Sequence, residues 1–408
     1  MTLTAAVGQA QALDGREAGL QATHHALNRL GTQTPALAIV ITSHHYDPDQ
    51  VLGGVSSLLI GASIIGFSSP GALTHKGQHN NSVVVALLCS PDIEVEDHWL
   101  PGYAQSGRET ATHLREIASA KSADNQTMIF FADGYNGDAE QMCLAFTGDS
   151  TPLVGCISGG DPHSGYSFQL AGNQTGSGSL AAALIGGDIR VGIGSDHGWR
   201  PIGSQFRVTR SRGFWVRTLD GRPASEAYSQ LFGYPARDWG FPPLNYLIRL
   251  YPLGIDQGNN LLVRSPVRVE ADGSFRMNAP VRDGLDAYLL VGSPATCYEA
   301  AQRAAQKAII ALGDAKPVLV LALVDIAWKL LLKAQPGVEI TAIQDIIGND
   351  IPIAGGYTLG QVTPGKNGSP PEFLNQHITV IAFGETEPEE KTTIITKKRA
   401  QPKAPKEK

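Results

Sequence analysis

Three times along this chain a buried-strand pattern leads into a helix, a second short strand ending in glycine, and then a further apolar strand. The first pass reads Ala36-Leu37-Ala38-Ile39-Val40-Ile41 as a strand. Asp47-Pro48 caps a helix over 49–60, Ser63-Ile64-Ile65-Gly66 is the second strand, and 82–88 is the third. The second pass runs from Thr127-Met128-Ile129-Phe130-Phe131 through a helix at 139–146 and Pro152-Leu153-Val154-Gly155 to a broken apolar stretch at 180–194. The third runs from Pro317-Val318-Leu319-Val320-Leu321 to Ile351-Pro352-Ile353-Ala354-Gly355 and then 378–383. Such repetition predicts an α/β fold of the mixed α+β kind, with two halves made of strand-helix-strand-turn-strand units whose mixed sheets are flanked by helices. Gly66, Gly155 and Gly355 are expected as turns at equivalent strand ends, on the side where α/β layers hold ligands.

Composition bounds the class. Charged residues make up 17% and apolar residues 42% of the 408, enough for a large core without a disulfide or metal staple. Glycine, 46 of 408, exceeds the usual share of about 7% and implies many tight turns. Cys89, Cys143, Cys156 and Cys297 lie far apart in apolar surroundings with no CxxC pair, which predicts buried free thiols in a reducing cytoplasm. Residues 1–12 lack the basic and apolar regions of a signal peptide, and no run approaches the roughly 18 apolar residues of a membrane span. A net charge of -6 argues against generic nucleic-acid binding.

Residues 1–30 are expected as an N-terminal helical segment, with Ala18, Ala22, Ala26 and Leu30 at helical spacing and Gly31 as the stop. A Gly/Pro-rich stretch at 233–243 divides the rest into domains at 31–233 and 234–385. The second opens with strands at 247–250 and 261–269, a hairpin at Asp272-Gly273 and a helix at 298–312. Residues 386–408, rich in Glu, Lys, Pro and Thr, are expected as a disordered charged tail.

The richest local pattern lies at 197–234. Gly192, Gly194 and Gly198 break an apolar run, so the chain turns there or lets another backbone approach. Asp220-Gly221 is a two-residue hairpin signal, and Pro223 begins a helix over 224–232 that Gly233 closes. His197-Gly198-Trp199-Arg200-Pro201-Ile202-Gly203, Leu219-Asp220-Gly221-Arg222-Pro223-Ala224 and Tyr228-Ser229-Gln230-Leu231-Phe232-Gly233-Tyr234 together resemble the end of the N-terminal half of a FIST protein, the F-box and intracellular signal transduction family. The resemblance runs from about 13 to 384. Tyr46-Asp47 matches the family's YD, Gly66-Phe67-Ser68-Ser69-Pro70-Gly71 resembles its GCSTAG, 352–361 resembles PVAGFYTYGE, and Phe373-Leu374-Asn375-Gln376-His377 resembles FHNQT.

That resemblance implies a cytoplasmic small-ligand-binding sensory or signalling protein. No fused kinase, cyclase or chemoreceptor output and no F-box before the first helix are expected, so the signal is expected to pass to a partner protein. Departures bear on the ligand: the family's Cys and Arg after the strand at 317–321 give way to Val324-Asp325-Ile326-Ala327-Trp328-Lys329, and its Tyr-Gly-Glu to Leu359-Gly360-Gln361. Losing a bidentate cation and its paired anion favours a different small polar ligand, neutral or weakly charged, or a structural subunit of a multiprotein complex with a degenerate pocket. The expected ligand-binding residues are Gly356, Tyr357 and Thr358, read as a turn, Gln361, and Asn375 and Gln376, read as strand neighbours; His197 and Trp199 either contact the ligand or pack a corner.

Other motifs carry less. Residues 360–367 approach phosphate-loop spacing, but Asn367 stands where magnesium needs Ser or Thr. Gly192-Ile193-Gly194-Ser195-Asp196-His197-Gly198 is one residue too long for a dinucleotide fingerprint. Ser43-His44-His45-Tyr46-Asp47-Pro48-Asp49 offers imidazoles and carboxylates, yet adjacent strand residues face opposite ways and Asp47 is a helix cap. Gly155-Cys156-Ile157-Ser158 suggests a Cys or Ser hydrolase as a third reading, without a base at a recognisable spacing. No catalytic residue, metal site or cofactor is assigned.

Overall fold

A strand, rather than helix, opens the chain: β1 (Thr4–Ala10) precedes α1 (Gly15–Leu30), whose Asp14 cap accepts from Glu17 N. The computed structural model describes residues 2–120, 125–161, 164–258, 261–365 and 369–385, and the charged tail at 386–408 lies outside them. The fold is mixed α+β, with mixed sheets flanked by helices.

One arrangement occurs three times. After β1 and α1 come β2 (Leu37–Ser43), α2 (Pro48–Ser56), β3 (Ser63–Ser69) and β4 (Val83–Cys89), in the sheet order β1-β4-β2-β3. Then come β5 (Ile93–Leu100), α3 (Gly107–Ala120), β6 (Thr127–Ala132), α4 (Ala139–Ala145), β7 (Leu153–Ser158) and β8 (Leu180–Gly187), ordered β5-β8-β6-β7. The third set is β9 (Arg190–Asp196), α5 (Pro294–Leu312), β10 (Lys316–Asp325), α6 (Ile326–Leu331), α7 (Val338–Ile347), β11 (Ile353–Thr363) and β12 (Ile378–Glu385), ordered β9-β12-β10-β11. In each set the last two strands of the order are parallel and the remaining neighbours antiparallel.

Strand alternation divides the apolar residues between two destinations. Leu37, Ile39 and Ile41 of β2, Ile129 and Phe131 of β6, and Leu319, Leu321 and Leu323 of β10 enter one common interior. Their neighbours face helices of their own set: Ala38 and Val40, Met128 and Phe130, Val320 and Ala322. Small residues let those helices approach closely. A Cβ on Gly8 would lie 2.0 Å from Ala22 O of α1, and one on Gly192 or Gly194 2.1 Å from Ala308 O or Ala304 O of α5.

The three glycines expected as turns are not turns. Gly66, Gly155 and Gly355 sit inside strands that continue to Ser69, Ser158 and Thr363. Each pairs with a residue of its parallel neighbour, Val40, Phe130 and Ala322, and an added Cβ would come within 2.5, 2.0 and 2.2 Å of that residue's carbonyl oxygen. Glycine is needed there for close crossing of two strands, not for reversal.

Between β9 and α5 an insert spans 200–291. Its eight-stranded sheet includes Arg200–Arg212, Trp215–Leu219, Phe275–Met277 and Asp286–Val291, so the expected boundary at 233/234 falls inside it. Asp220 and Gly221 take positive φ at the hairpin (52° and 79°), and Gly233 closes helix Ala224–Phe232 in the left-handed region. The strand expected at 247–250 is instead helical, Leu244–Leu247 followed by a 3-10 turn Ile248–Leu250. Leu244 and Ile248, four apart, are the residues it buries, a period that a four-residue apolar window cannot reveal. Arg264 fastens the insert by an ion pair to Glu140 of α4 and by donating to Phe373 O at 3.2 Å.

Gly155→Ala is therefore expected to cost about 3 kcal/mol, the upper range for overpacking. Gly53→Ala in α2, with nothing within 4 Å of the new Cβ, should stabilise by roughly 0.5–1 kcal/mol. Urea unfolding of both variants checks the pair; equal effects would refute the close-crossing argument. At the end of β9, burial raises the Asp196 carboxyl, but hydrogen bonds from Arg303 and Lys307 on α5 outweigh it and hold the pKa at about 2 against 3.8. A depressed acid stabilises above its unfolded pKa and loses that contribution as pH falls through the folded value. Asp196→Asn should consequently be less stable than wild type above pH 3.8, the difference closing towards pH about 2 in melts across that range.

Candidate functional site

Two strand-end loops and a mid-strand segment of β11 meet where the parallel pairing ends. Ser69, Ser158 and Thr358 each stand three residues after the close-crossing glycine of β3, β7 and β11, and Pro70, Gly159 and Leu359 follow them. Ser68 Oγ donates to Gly159 O at 2.7 Å and Ser69 Oγ to Tyr357 O at 3.0 Å, tying the loops together. The insert covers this junction, and Asn278 Nδ2 donates to Leu359 O. Two adjoining cavities, of about 640 and about 510 Å³, share Tyr135, Arg249, Val267 and Leu359 as wall. The larger also takes in Asp133, Asn136, Arg268, Arg276 and Phe373. The smaller is closed by Pro70, Gly160, Ile326, Lys329, Leu330 and Lys333.

Arg249 is the central charge of this cleft. Its guanidinium makes no hydrogen bond or ion pair with another described residue, although burial lowers its pKa and the charges of Tyr135 and Asp325 offset this only in part. Its backbone, by contrast, is held firmly: Gln376 Nε2 donates to Arg249 O at 2.7 Å, and Trp199 Nε1 to Leu250 O at 3.2 Å. Gln376 is fixed in turn, its N–H donating to Asp325 Oδ2 at 2.9 Å and its carbonyl accepting from Trp328 Nε1 at 2.9 Å. Burial raises the Asp325 carboxyl to about 6 against its backbone hydrogen bonds and the Arg249 charge. Asp133 occupies the matching place in the second set, accepting from Gly178 N at 2.7 Å and Tyr135 N at 2.8 Å. Gln376 and Gly178 both have positive φ, 63° and 67°, two residues before β12 and β8. Each aspartate thus pins a left-handed corner.

Lys329 projects over Tyr357, its Nζ 5.5 Å from the ring centroid, and donates to Pro70 O and, at 3.2 Å, to Asn80 Oδ1. Burial lowers its pKa. The Tyr357 hydroxyl lies 2.6 Å from Glu339 Oε1, and burial raises that carboxyl. Burial also pushes Tyr135 up to about 12, with Arg249 opposing. Among the described lining residues the cations are Arg249, Arg268, Arg276, Lys329 and Lys333, against one carboxylate, Asp133, whose oxygens already serve backbone N–H groups. Such a wall favours an anion.

The residues expected to bind ligand are brought to this region without lining either cavity. Gly356, Tyr357, Thr358 and Gln361 are buried within β11 rather than in a turn; Gln361 Nε2 donates to Thr358 Oγ1 at 2.6 Å. Asn375 and Gln376 form a left-handed corner rather than a strand, because Gln376 must turn the chain onto Asp325. Asn375 is buried, and its side-chain Oδ1 and Nδ2 have no hydrogen bond to a described residue. His197 packs on His377 with ring centroids 4.7 Å apart and accepts from Trp199 N, so these two brace the corner into the insert. Gln376 and Trp199 reach the cleft only through the backbone of Arg249 and Leu250. Sequence reasoning missed Arg249 and Tyr135; the available signal was an arginine inside the otherwise apolar run Leu247-Ile248-Arg249-Leu250.

Cys156 lies in the common interior, where burial drives its thiol pKa far up, and Ser158 Oγ accepts from Gln169 Nε2 at 3.1 Å. An amide cannot take the proton a nucleophilic serine must give up. Asp47 caps α2 through Gln50 N, and no group of three or more metal-ligating side chains occurs among the described residues. Of the phosphate-loop-like stretch, Lys366 and Asn367 lie outside the described residues.

Known proteins resemble the chain as follows. The family described as FIST N domain matches residues 36–222 and that described as FIST C domain matches 224–364. An uncharacterized protein of Mycobacterium tuberculosis (strain H37Rv) is 25% identical over 221 residues, 53% of this chain and 56% of the relative, so the chain spans about half the length of that relative. An uncharacterized protein of Methanocaldococcus jannaschii is 25% identical over 122 residues, 29% of this chain and 24% of the relative. Among solved structures, a chorismatase gives a TM-score of 0.36 at 9% identity, over 94% of this chain and 99% of that one. A cyanuric acid hydrolase from A. caulinodans gives 0.33 at 8% identity, over 94% and 100%.

All four cysteines are free and buried. An aromatic disulfide reagent should therefore label none of them in the native protein and all of them in guanidinium; rapid native labelling of Cys156, located by peptide mapping, would revive it as a nucleophile.

Proposed function

The chain belongs to the FIST family, a sensory and ligand-binding family, and from that premise we propose that it is a receptor for a small polar ligand with an anionic group, held in the cleft beneath the insert. The observation that carries this reading is Arg249: a guanidinium without a hydrogen bond or ion pair among the described residues, on the wall common to both cavities, with the backbone at Arg249 and Leu250 fixed by Gln376 and Trp199. An arginine so placed presents its fork of donors to a carboxylate or phosphate. The family's two halves, 31–233 and 234–385, would meet within the insert, whose sheet takes strands from both, and the protein would operate in the cytoplasm, in keeping with four free thiols. No helix among the described residues is long and apolar enough to cross a membrane.

The insert supplies one side of the cleft and the strand-end loops the other, so occupancy fastens the two together. A partner protein would read that change. Exposed Leu231, Tyr234 and Phe241 on the insert favour a protein contact, and also favour the second reading, a structural subunit of a larger complex.

Thermal unfolding with acetate, hexanoate, succinate and inorganic phosphate tests the receptor reading. An anion at 100 times its Kd adds about 2.7 kcal/mol, and Arg249→Met should abolish the gain while raising the unliganded melt, since it removes a charge held partly out of water. A stabilisation that survives Arg249→Met, or no response to any of the anions, would count against it.

A further inference from the structure

Resting on that reading, we infer that the ligand is a carboxylic acid with an apolar, ring-sized body and no ammonium group, its carboxylate on Arg249 and its body in the smaller cavity. The two cavities differ in character. The larger presents Asp133, Asn136, Asn278, Arg268 and Arg276, whereas the smaller is walled chiefly by Val267, Ile326, Leu330 and Leu359. At about 510 Å³ the smaller lies within the range of roughly 300–1,000 Å³ typical of small-molecule sites and has room for an aromatic ring. Arg249 stands at the junction, so an acid group bound there directs its body into the apolar side.

The excluded group follows from the same wall. Charged side chains lining the smaller cavity among the described residues are Arg249, Lys329 and Lys333, with no Asp or Glu. Lys329 is fixed in place by Pro70 O, Asn80 Oδ1 and the Tyr357 face. Two carboxylates near this wall are committed elsewhere. Asp161, next to Gly160, accepts from Ser164 N and Ser164 Oγ, and Asp325 accepts from Ala327 N and Gln376 N. A ligand ammonium would enter a wall of cations without a counter-ion, losing hydration for nothing in return. An anionic head with an apolar body meets no such penalty.

Isothermal titration of the full chain with hydrocinnamate, phenylalanine, phenethylamine and acetate decides the matter, since phenylalanine is hydrocinnamate with an added α-ammonium. Hydrocinnamate should bind at least about ten-fold more tightly than phenylalanine or acetate, a difference of about 1.4 kcal/mol, and phenethylamine should not bind. Lys333→Glu, at an exposed rim position, should weaken hydrocinnamate and bring phenylalanine to within about three-fold of it. Phenylalanine binding as tightly as hydrocinnamate in wild type, or phenethylamine binding at all, would overturn the exclusion of the ammonium. Acetate binding through Arg249 with no gain from the phenyl group would overturn this inference while leaving the anion receptor intact. If neither hydrocinnamate nor acetate binds, this inference falls, and the receptor reading falls with it only where hexanoate, succinate and phosphate also fail to stabilise the protein.

Discussion

The inward faces of β2, β6 and β10 share a single apolar interior, and the position of every functional group depends on that sharing. Leu37, Ile39 and Ile41 meet Ile129 and Phe131 and Leu319, Leu321 and Leu323 there, all fully buried. Burial on this scale, at about 25 cal/mol for each Å² of apolar surface, holds the three strand sets together, and the second and third are also joined edge to edge by pairing of β7 with β11. Within each set the two strands nearest one edge of the order are parallel, so their carboxyl ends point the same way. A common interior then forces three pairs of ends to converge. The convergence is tight because Gly66, Gly155 and Gly355 let each pair cross closely. Ser69, Ser158 and Thr358 are consequently buried, and it is the residues beyond them, Pro70, Gly160 and Leu359, that reach the cavities.

Placing an unpartnered guanidinium at this convergence is unfavourable, because taking a charge even partly out of water costs several kcal/mol unless a counter-charge meets it. The chain does not pair the charge but holds its backbone rigidly. Asp325 sits behind Arg249 but spends its oxygens on Ala327 N and Gln376 N, so its charge acts on Arg249 from a distance rather than through an ion pair. Gln376 and Trp199 grip the backbone at Arg249 and Leu250. A site with its donors fixed in advance loses less conformational entropy when an anion arrives.

Legibility in the sequence was uneven, for physical reasons. The long β-branched and aromatic runs and the capped helices could be read directly, since burial and capping leave a local pattern: Asp47-Pro48 before α2 and Gly233 after helix Ala224–Phe232 are where the pattern put them. β1 escaped notice because Thr4–Ala10 is made of small residues and glutamine, and its strand character comes from pairing with β4 and from Gly8 against α1. Glycine was ambiguous. A turn and a close crossing both require a residue without Cβ, and only the neighbouring carbonyl, contributed by a residue more than twenty positions away, distinguishes them. The cleft was the least legible part. Gln376 and Trp199 were visible as polar or amphipathic groups beside strand ends, but their partners Arg249 and Leu250 belong to the insert, and no local rule connects residues so distant in the chain.

The departures from the family pattern gain a structural meaning in this light. Where the pattern expects a cation directly after β10, this chain has Ile326-Ala327-Trp328, and Trp328 is used to hold Gln376. A guanidinium reaches the same strand ends from the insert. Lys329 and Lys333 add cations from the sheet side, and Arg249 brings the insert into the same anion-favouring wall. The attachments between insert and sheets are Asn278 to Leu359, Arg264 to Glu140 and Phe373, and Gln376 to Arg249, and on the receptor reading ligand energy would pass through them. Any differential affinity between a tighter and a looser seating of the insert appears in full as a shift between those two states. On the receptor reading proposed above, a charge on the insert would couple binding to the seating of the insert, because the three strand sets share one interior and the insert lies outside it.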